Sequence, residues 1–539
     1  MTEQRSTETK PGLDRRDAAL LAAILVGVAL CVAQVLRMSS QPQEDAAILM
    51  RYAQHLADGH GIVWNVGEAP VDGGTDFLFM VLVAGVMRAG LSVEAATRAL
   101  CIIAHVLTVV LVYVVVRRLN RAPRWAAAIA AGYLAIGPGL GYITAFFGTP
   151  FYALLALATW ASALQIADAP SSKRLALQFG LCAVATALTR PDGVLLSLFI
   201  LAALIYRVGW RSSRRVVLTF GVVFLVIGAA YFAWRWSYFG HPLPNPYYKK
   251  GGGHLYPHSL TGSVMWVLYM PLPFWFPFIA GLRSPSLRRQ TLFALIPVVG
   301  FTAVWVLISD DTNHLGRFQY ALLPIVLTSW HPLVRGLRQD WRLPRLGDLD
   351  RSNRAAVLAG ALAVGTAILG YQWWYSKPGL RPWHDGRREA AALLRQYGDR
   401  GYVLATSEAG LLPLYSEWRT VDVWGLNDPW VAHHGQITEA RLAQYRPHVV
   451  MFHAYFSPVV EPDATDAWGR MTVVLRQYAE RNGYTLAAAF GRSPYETHYY
   501  YVRPGFPDAA GITRGLRDLP YTWYHGAGCL NYASLPQRH

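Results

Sequence analysis

The fold is decided by a pattern that residues 99–143 show in full: ALCIIAHVLTVVLVYVVVRRLNRAPRWAAAIAAGYLAIGPGLGYI. Two apolar runs flank a short loop, 117–124, that contains four arginines. A helix of about 20 apolar residues is long enough to cross the hydrocarbon core of a bilayer. The stretch therefore predicts two transmembrane helices joined by a positively charged loop.

The same alternation continues to residue 376 and predicts a polytopic α-helical membrane domain, 1–376, with about eleven spans. The spans are expected at 18–36, 99–116, 126–143, 151–164, 175–188, 194–206, 216–234, 264–282, 291–308, 318–334 and 355–374. A further apolar run, 77–86, is only about ten residues long, so we expect it to lie on the outer face. Counting it as a span would invert every later loop.

Lysine and arginine crowd every second loop. Six loops, from the amino-terminal segment to residues 335–354, hold 23 of these residues, and the five loops between them hold 8. The positive-inside rule assigns the rich loops to the cytoplasm. We therefore expect a multi-pass protein of the plasma (inner) membrane, with a cytoplasmic amino terminus and an uncleaved first span.

The composition fits this class, with 53% hydrophobic residues, 15% charged residues and a formal net charge of +16. The positive balance comes largely from arginines that would face anionic lipid headgroups. Membrane lipids are therefore expected partners, and nucleic acid is not. Three of the four cysteines fall in predicted spans, which leaves Cys529 without a disulfide partner in the tail.

The tail, 377–539, is predicted to be a soluble extracytoplasmic α/β domain. Residues 387–397 have helical periodicity, and 402–406 and 448–452 are typical of short buried strands. Residues 484–490 and 498–502 predict a further pair of strands.

The first external loop, 38–98, begins with an acidic pair, Glu44 and Asp45. After it, Ile48, Leu49, Tyr52 and Leu56 alternate with Arg51, Gln54 and His55 in the pattern of an amphipathic helix lying on the membrane. Adjacent carboxylates raise one another's pKa, which suits a general base near neutral pH. The alternative is that Asp45 only caps the helix. Asp72 and Asp76 follow in a glycine-rich part of the loop.

A second external segment, 238–250, reads YFGHPLPNPYYKK. Three prolines make it rigid, and Lys249 and Lys250 lie on the side that is normally poor in cations, where we expect both side chains to face solvent. They suit an anionic phosphate at headgroup level, or alternatively a lipid-headgroup anchor. Arg190, in the tight break 189–193, would need a carboxylate or a phosphate at that depth.

A third external segment, 310–317, offers Asp310, Asp311 and His314 as weak candidates for a metal site. Their spacing matches no recognised ligand pattern, so a divalent cation is the one cofactor left open. The chain has no phosphate-binding P-loop and no dinucleotide fingerprint. A nucleotide sugar or ATP is therefore not expected as the direct substrate.

Taken in order, several motifs resemble those of a known family. They are Glu44-Asp45, Tyr52-Ala53, the glycines at 59, 61, 67 and 73 with Asn65, then Thr189–Gly193, Pro244–Tyr248 and VDVWGLND at 421–428. The set resembles the GT-C superfamily of membrane glycosyltransferases, and more narrowly the actinobacterial arabinofuranosyltransferases of the terminal β-(1→2) type. The resemblance runs from residue 40 to about residue 430. One departure is Phe147-Gly148-Thr149-Pro150, where relatives tend to carry a glutamate.

The resemblance implies a GT-C fold and an inverting transfer of a sugar, arabinofuranose, from a polyprenyl-phosphate donor to a cell-wall polysaccharide such as arabinogalactan. The acidic motif implies catalytic roles for Glu44 and Asp45, with Asp45 as the base. The expected donor-binding residues are Arg190, His241, Asn245, Tyr247, Tyr248, Lys249, Lys250 and Arg317. The expected acceptor-binding residues are Asp72, Asp76 and Asp428.

Three alternatives stay open. A mannosyl or other hexosyl transferase would carry the same motifs. A transporter of lipid-linked sugars would place ionisable groups near mid-membrane, often in matched halves, whereas here they cluster in outer loops. A non-catalytic glycan-binding or scaffolding protein is the third.

Overall fold

A computed structural model describes residues 12–38, 40–251, 253–342, 350–382, 384–523 and 527–534. Up to residue 376 the helices are α1 (Arg15–Arg37), α2 (Glu44–Ala57), α3 (Phe77–Arg88), α4 (Val93–Val114), α5 (Arg124–Ala135), α6 (Gly139–Ala145), α7 (Thr149–Asp168), α8 (Lys173–Thr189), α9 (Gly193–Val208), α10 (Trp210–Val223), α11 (Ala229–Phe239), α12 (Asn245–Lys249), α13 (Pro257–Tyr269), α14 (Phe276–Arg283), α15 (Arg288–Val304), α16 (Leu322–Asp340) and α17 (Arg351–Ser376). A π-helical turn, Phe224–Gly228, joins α10 to α11.

Six helical segments of the described chain are long and apolar enough to cross a membrane: Arg15–Arg37, Val93–Leu119, Arg124–Ala145, Thr149–Asp168, Trp210–Phe239 and Arg351–Leu380. A bent pair, α13 with Leu272–Arg283, makes a seventh if it counts as one span, with a bend of 70°. The prediction of several spans is confirmed, but the number eleven is not. Several predicted spans fall on shorter helices, such as α9 with 16 residues and α8 and α15 with 17 each.

The loops collect at two ends of the helical domain. At one end Arg190 pairs with Asp76 of the first external loop, and Lys250 Nζ donates to the carbonyl of Asp311 at 3.2 Å. At the other end Arg117 pairs with Asp17 at 2.9 Å. The loops poor in lysine and arginine thus meet one another, and two of the rich segments also meet. Alternating spans predict this segregation.

Helix α2 is present where predicted, but its surroundings differ from the prediction. Arg51, expected on the polar face, is buried and donates to the carbonyls of Trp64 at 2.9 Å and Trp418 at 3.0 Å. Gln54 and His55 are half-buried. The tail therefore covers the polar face of α2, and a position of this helix on the membrane stays a prediction.

The tail contains the helices α18 (Arg387–Arg395), α19 (Leu411–Ser416), α20 (Pro429–His434), α21 (Glu439–Tyr445), α22 (Ala467–Arg481) and α23 (Ala509–Asp518). Its strands are β1 (Val403–Thr406), β2 (Arg419–Asp422), β3 (Val449–Ala454), β4 (Thr485–Ser493), β5 (Glu496–Val502), β6 (Thr522–Trp523), β7 (Ala527–Gly528) and β8 (Leu530–Asn531). The main sheet has the order β2-β1-β3-β5-β4-β8. The β1–β2 and β1–β3 pairs are parallel, and the others are antiparallel. The predicted helix, strands and α/β class are confirmed.

The edge strand β2 is covered by the first external loop. The Asn65 side chain accepts from Thr420 N at 2.9 Å and donates to Thr420 O at 3.0 Å, as the backbone of a neighbouring strand would. Trp64 Nε1 also donates to Thr420 O at 3.0 Å. The loop that carries α2 is thereby fixed against the sheet of the tail.

Candidate active site

Asp45 lies in the first turn of α2, where its carboxylate faces the loop 309–317. Its Oδ2 accepts a hydrogen bond from Thr312 Oγ1 at 2.9 Å and is ion-paired with Arg317 Nη2. The N-cap position belongs to Gln43, which makes no side-chain cap. The Asp45 side chain is 27% exposed. It therefore remains accessible to a substrate and does not act as a helix cap.

The pKa of Asp45 lies below its ordinary value. Burial alone would raise it, but the charges of Arg317 and Lys250 and the hydrogen bond from Thr312 outweigh that effect. Mutual raising by Glu44, as the sequence predicted, is not what this environment produces. Asp45 is consequently an ionised carboxylate at neutral pH, which is the form that a general base requires.

Two guanidinium groups lie against one aromatic ring near Asp45. Arg317 Cζ is 4.8 Å from the centroid of the Phe318 ring, and Arg190 Cζ is 4.9 Å from it. Arg317 also contacts the Phe147 ring at 4.2 Å, and Arg190 the Tyr152 ring at 5.5 Å. Cation–π contacts of this kind hold a guanidinium in place without neutralising its charge.

Arg190 connects this pair of cations to two further carboxylates. Its Nη1 lies 3.3 Å from Asp76 Oδ1, and its Nε 3.0 Å from Asp192 Oδ1. Burial raises the pKa of Asp76, Arg190 and Arg317 oppose the rise, and Asp192 and Asp45 add to it. Asp76 therefore belongs to the same electrostatic cluster as Asp45.

Glu44 faces away from Asp45, into a buried cluster at the end of the tail's sheet. Its Oε1 pairs with Arg387 Nη1 at 2.8 Å, and its Oε2 accepts from Gly410 N at 2.5 Å. Arg387, 4% exposed, also pairs with Asp385 at Nε, 2.8 Å away, and with Glu408. Burial raises the pKa of Glu44, and Glu408 and Asp385 add to the rise. These contacts fit a residue that positions α2, and they leave Asp45 as the carboxylate at the site.

The two lysines of segment 238–250 contact different parts of the molecule, Lys250 the site around Asp45 and Lys249 the tail. Lys250 Nζ donates to Asp311 O at 3.2 Å, and its charge helps to lower the pKa of Asp45. Lys249 Nζ donates instead to Gly435 O at 2.6 Å and lies 4.2 Å from the Trp424 ring. Both lysines are half-buried, whereas the sequence predicted solvent-facing side chains.

The aromatic residues of this segment also meet the tail. The His433 ring lies 4.4 Å from the rings of both His241 and Tyr248. Tyr247 is 41% exposed beside Tyr248, with ring centroids 5.9 Å apart. His241, Tyr247 and Tyr248 therefore form an aromatic surface that continues onto the tail.

Asn245 and Asp72, predicted to contact substrates, are buried among protein partners. Asp72 is ion-paired with Arg235, and its carbonyl accepts from Asn245 N at 3.0 Å. Burial raises the pKa of Asp72 to about 6, although Arg235 opposes the rise. These contacts tie the first external loop to the segment 242–245, and binding roles for the two residues stay predictions.

Asp428 and the motif 421–428 form a second structural junction. Asp428 caps α20 by accepting from Val431 N at 3.0 Å and also accepts from Tyr445 Oη at 2.9 Å. Asn427 Oδ1 accepts from Tyr52 Oη at 3.0 Å, which docks the motif on α2. An acceptor-binding role for Asp428 remains a prediction.

Asp310, Asp311 and His314 do not form a metal-binding group. Among the described residues, no cluster of three or more His, Cys, Asp or Glu side chains has an arrangement that could hold a metal ion. The His314 ring packs 5.8 Å from the Phe147 ring, and burial lowers its pKa to about 4. The weak metal assignment is thus not supported by the geometry.

Several residues of the site were missed by sequence reasoning. Thr312 and Phe318 flank Arg317 in the sequence, so their closeness to the site follows once Arg317 is placed. Arg387 and Asp385 lie more than 340 residues after Glu44, and no local pattern indicates that they meet it.

Comparisons by sequence are limited to the tail. Residues 379–503 match the model of a domain of unknown function, DUF8728. The matched segment contains strands β1 to β5. No curated protein matches the chain in sequence.

Comparisons by structure cover most of the chain. ArnT from Cupriavidus metallidurans in the apo state is 15% identical with a TM-score of 0.55, covering 90% of this chain and 97% of ArnT. ArnT bound to undecaprenyl phosphate gives the same identity and coverage with a TM-score of 0.52. The archaeal oligosaccharyltransferase AglB from Archaeoglobus fulgidus, in complex with an inhibitory peptide and a dolichol-phosphate, is 12% identical with a TM-score of 0.52, covering 92% and 75%. At these identities the likeness shows the fold alone, and the predicted GT-C fold is confirmed.

Proposed function

We propose that the protein is an inverting glycosyltransferase that takes its sugar from a polyprenyl-phosphate donor and transfers it to a cell-wall glycan outside the membrane. The observation that carries the proposal is the meeting of Asp45 with Arg317, while Arg190 and Lys250 act on the same cluster. An ionised Asp45 beside Arg317 and Lys250, next to the Arg190–Asp76 ion pair, suits a displacement with an anionic phosphate leaving group.

In this reaction Asp45 acts as the general base. A hydroxyl of the acceptor gives its proton to the Asp45 carboxylate while its oxygen forms a bond to the anomeric carbon of the donor sugar. The bond from that carbon to the phosphate oxygen breaks on the opposite face. A single displacement of this kind inverts the anomeric configuration and needs no second carboxylate as nucleophile.

The leaving polyprenyl phosphate takes away the bonding electron pair, so negative charge grows on its oxygens. Arg317, Arg190 and Lys250 are the cations proposed to stabilise that charge, and Arg can bind phosphate with two hydrogen bonds. The lipid-phosphate ligands of the similar structures support this class of donor: undecaprenyl phosphate for ArnT and dolichol-phosphate for AglB.

The acceptor is proposed to approach over the aromatic surface around Lys249. His433 and Tyr248 lie on one side of it, and Trp424 packs against Trp468 on the other, with ring centroids 5.0 Å apart. Aromatic rings offer flat apolar faces to the C–H faces of sugars. Asp76, within the same cluster as Asp45, is the acidic residue best placed to bind an acceptor hydroxyl.

The finer assignment rests on the family resemblance and on charge. Arabinofuranose is the proposed sugar, with mannose and other hexoses as the alternatives of the same class. The distribution of lysine and arginine supports a cytoplasmic amino terminus and an extracytoplasmic tail.

The test is sugar transfer from radiolabelled polyprenyl-phosphate arabinofuranose and from polyprenyl-phosphate mannose, in vesicles that contain the wild-type protein or Asp45→Asn. We expect transfer from the arabinose donor, and a loss of roughly 10²- to 10⁴-fold in the variant, the range for a missing general base. Asp58→Asn, in the same loop but outside the site, should transfer at the wild-type rate. Undiminished transfer by Asp45→Asn would remove the proposed base.

A further inference from the structure

A basic groove lies on the tail, far along the chain from the residues of the proposed site. It has a volume of about 440 Å³ and is bounded by α23 on one side and by the start of β4 and the end of β5 on the other. Ligand-binding pockets in proteins commonly have volumes of about 300–1,000 Å³. Three arginines line it: Arg503, Arg514 and Arg517.

The sequence of α23 explains the shape of the groove. Ile512 and Leu516 are buried in the core of the tail, so the opposite face of the helix points outward. Ala510, Thr513 and Arg517 lie on that outer face at helical spacing. The small side chain of Ala510 leaves space, which long cationic side chains border.

None of the three arginines is ion-paired with a carboxylate among the residues that the structure describes. Arg503 Nη1 donates to the backbone carbonyl of Arg446 at 2.7 Å, which orients its guanidinium but leaves its charge uncompensated. Elsewhere on the tail, exposed arginines do have acidic partners, such as Arg395 with Glu417. Guanidinium groups without carboxylates suit phosphate or carboxylate ligands, which they bind with paired hydrogen bonds.

The groove opens at the end of the sheet remote from the Glu44 cluster. Val502, at the groove, pairs with Thr485 and with Val449, whereas Thr497 pairs with Ala454 beside the Glu408 end. Five residue steps along β5 separate Thr497 from Val502, a distance of about 17 Å. The arginines are therefore presented away from α2 and the donor-binding loops, where a polymer in solution can reach them.

We propose that this groove binds an anionic segment of a polysaccharide, through phosphate or carboxylate groups held by Arg503, Arg514 and Arg517. The inference depends on the proposed function at one point: it takes the polymer to be the glycan acceptor or a glycan attached to it. The groove would hold the polymer at a distance from Asp45, so that the growing end can reach the site while the chain stays bound.

The test measures binding without sugar transfer, using the full-length protein in nanodiscs of zwitterionic lipid at about 50 mM salt, where charge interactions are only partly screened. The probes are fluorescent oligogalacturonate, which carries carboxylates, fluorescent polyphosphate and neutral dextran. We expect binding of at least one anionic probe and none of dextran. The anionic probe that binds identifies the ligand group.

The decisive variant is Arg514→Gln/Arg517→Gln, which leaves the bond from Arg503 to Arg446 in place and changes only exposed side chains. We expect its affinity to fall at least about tenfold, or about 1.4 kcal/mol. The matched control, Arg395→Gln/Arg481→Gln, removes the same charge from other exposed positions of the tail and should stay within about twofold of wild type. Equal weakening by both pairs, an unchanged affinity of the groove variant, or no anionic binding by the wild type would overturn the proposal. Asp45→Asn should bind like the wild type, so a failure of the proposed reaction can be told apart from a failure of the groove.

Discussion

Replacing Arg387 by glutamine should destabilise the protein far more than the same change at its neighbour Arg388. Arg387 is 4% exposed and faces three carboxylates, those of Glu44, Asp385 and Glu408. Removing one partner of a buried ion pair typically costs about 3–5 kcal/mol, because the remaining charge stays buried without compensation. Arg388 is 41% exposed and pairs with Glu94 at 2.8 Å, so its loss should cost at most about 1 kcal/mol.

The assay is thermal unfolding of the purified full-length variants in the same detergent. For a domain of 150–250 residues, 1 kcal/mol shifts Tm by about 2–4 °C. Arg387→Gln should therefore lower Tm by roughly 6–20 °C, and Arg388→Gln by no more than about 4 °C.

The loss at Arg387 should also depend on pH, with a defined sign. Burial raises the pKa of Glu44 and Arg387 opposes that rise, so without the arginine the folded protein binds a proton at Glu44 that the unfolded chain releases above about pH 4. Stability of the variant should therefore fall as pH rises, and the deficit should be smaller near pH 5 than near pH 8. A Tm for Arg387→Gln that equals that of Arg388→Gln at both pH values would refute the account of the cluster.

Three further predictions concern the site. Arg317→Gln removes the positive charge that lowers the pKa of Asp45 most. The pKa of Asp45 should therefore rise, and the acidic limb of the kcat/KM profile should move to higher pH. An unmoved limb would exclude Asp45 as the titrating base. Gly73→Ala would bring a Cβ within 2.0 Å of Asn427 Oδ1 and 2.6 Å of Tyr52 Oη. Thermal unfolding should therefore show a loss of about 1–3 kcal/mol of stability. The control Gly85→Ala, whose Cβ would have nothing within 4 Å, should leave stability unchanged. The double change Lys249→Ala/Lys250→Ala should weaken binding of a polyprenyl-phosphate sugar in equilibrium binding. Because each lysine is half-buried and donates to a backbone carbonyl, the change should also cost about 1–3 kcal/mol of stability, or about 0.5–1.5 kcal/mol for each lost hydrogen bond. Unaltered donor affinity of the folded variant would contradict the phosphate assignment.

The sequence predicted those features that depend on local pattern. Charge alternation indicated which loops share one end, and there Arg317 and Lys250 lower the pKa of Asp45 while Arg190 pairs with Asp76. Short runs typical of strands located β1, β3, β4 and β5 of the tail within a few residues. The number of spans was less accessible, because short helices such as α8, α9 and α15 pack against others and need not each cross a bilayer.

Contacts between distant segments were beyond prediction. Helical periodicity placed Arg51 on a polar face, and it could not indicate that a second domain would bury that face. Glu44 and Asp45 are adjacent in the sequence, yet successive helical residues point about 100° apart, so they serve different partners. Only the folded chain reveals that one carboxylate meets the tail and the other meets the loop around Arg317.

The cover on strand β2 affects how the tail can be produced by itself. A fragment that begins near residue 377 would lack Trp64 and Asn65. The backbone amide and carbonyl of Thr420 would then lose the hydrogen bonds that these two side chains make with them. Uncovered sheet borders recruit strands from other molecules and promote aggregation. Recombinant preparations of the isolated fragment should therefore be insoluble unless residues 60–70 are fused to it or a bulky charged residue is introduced into β2.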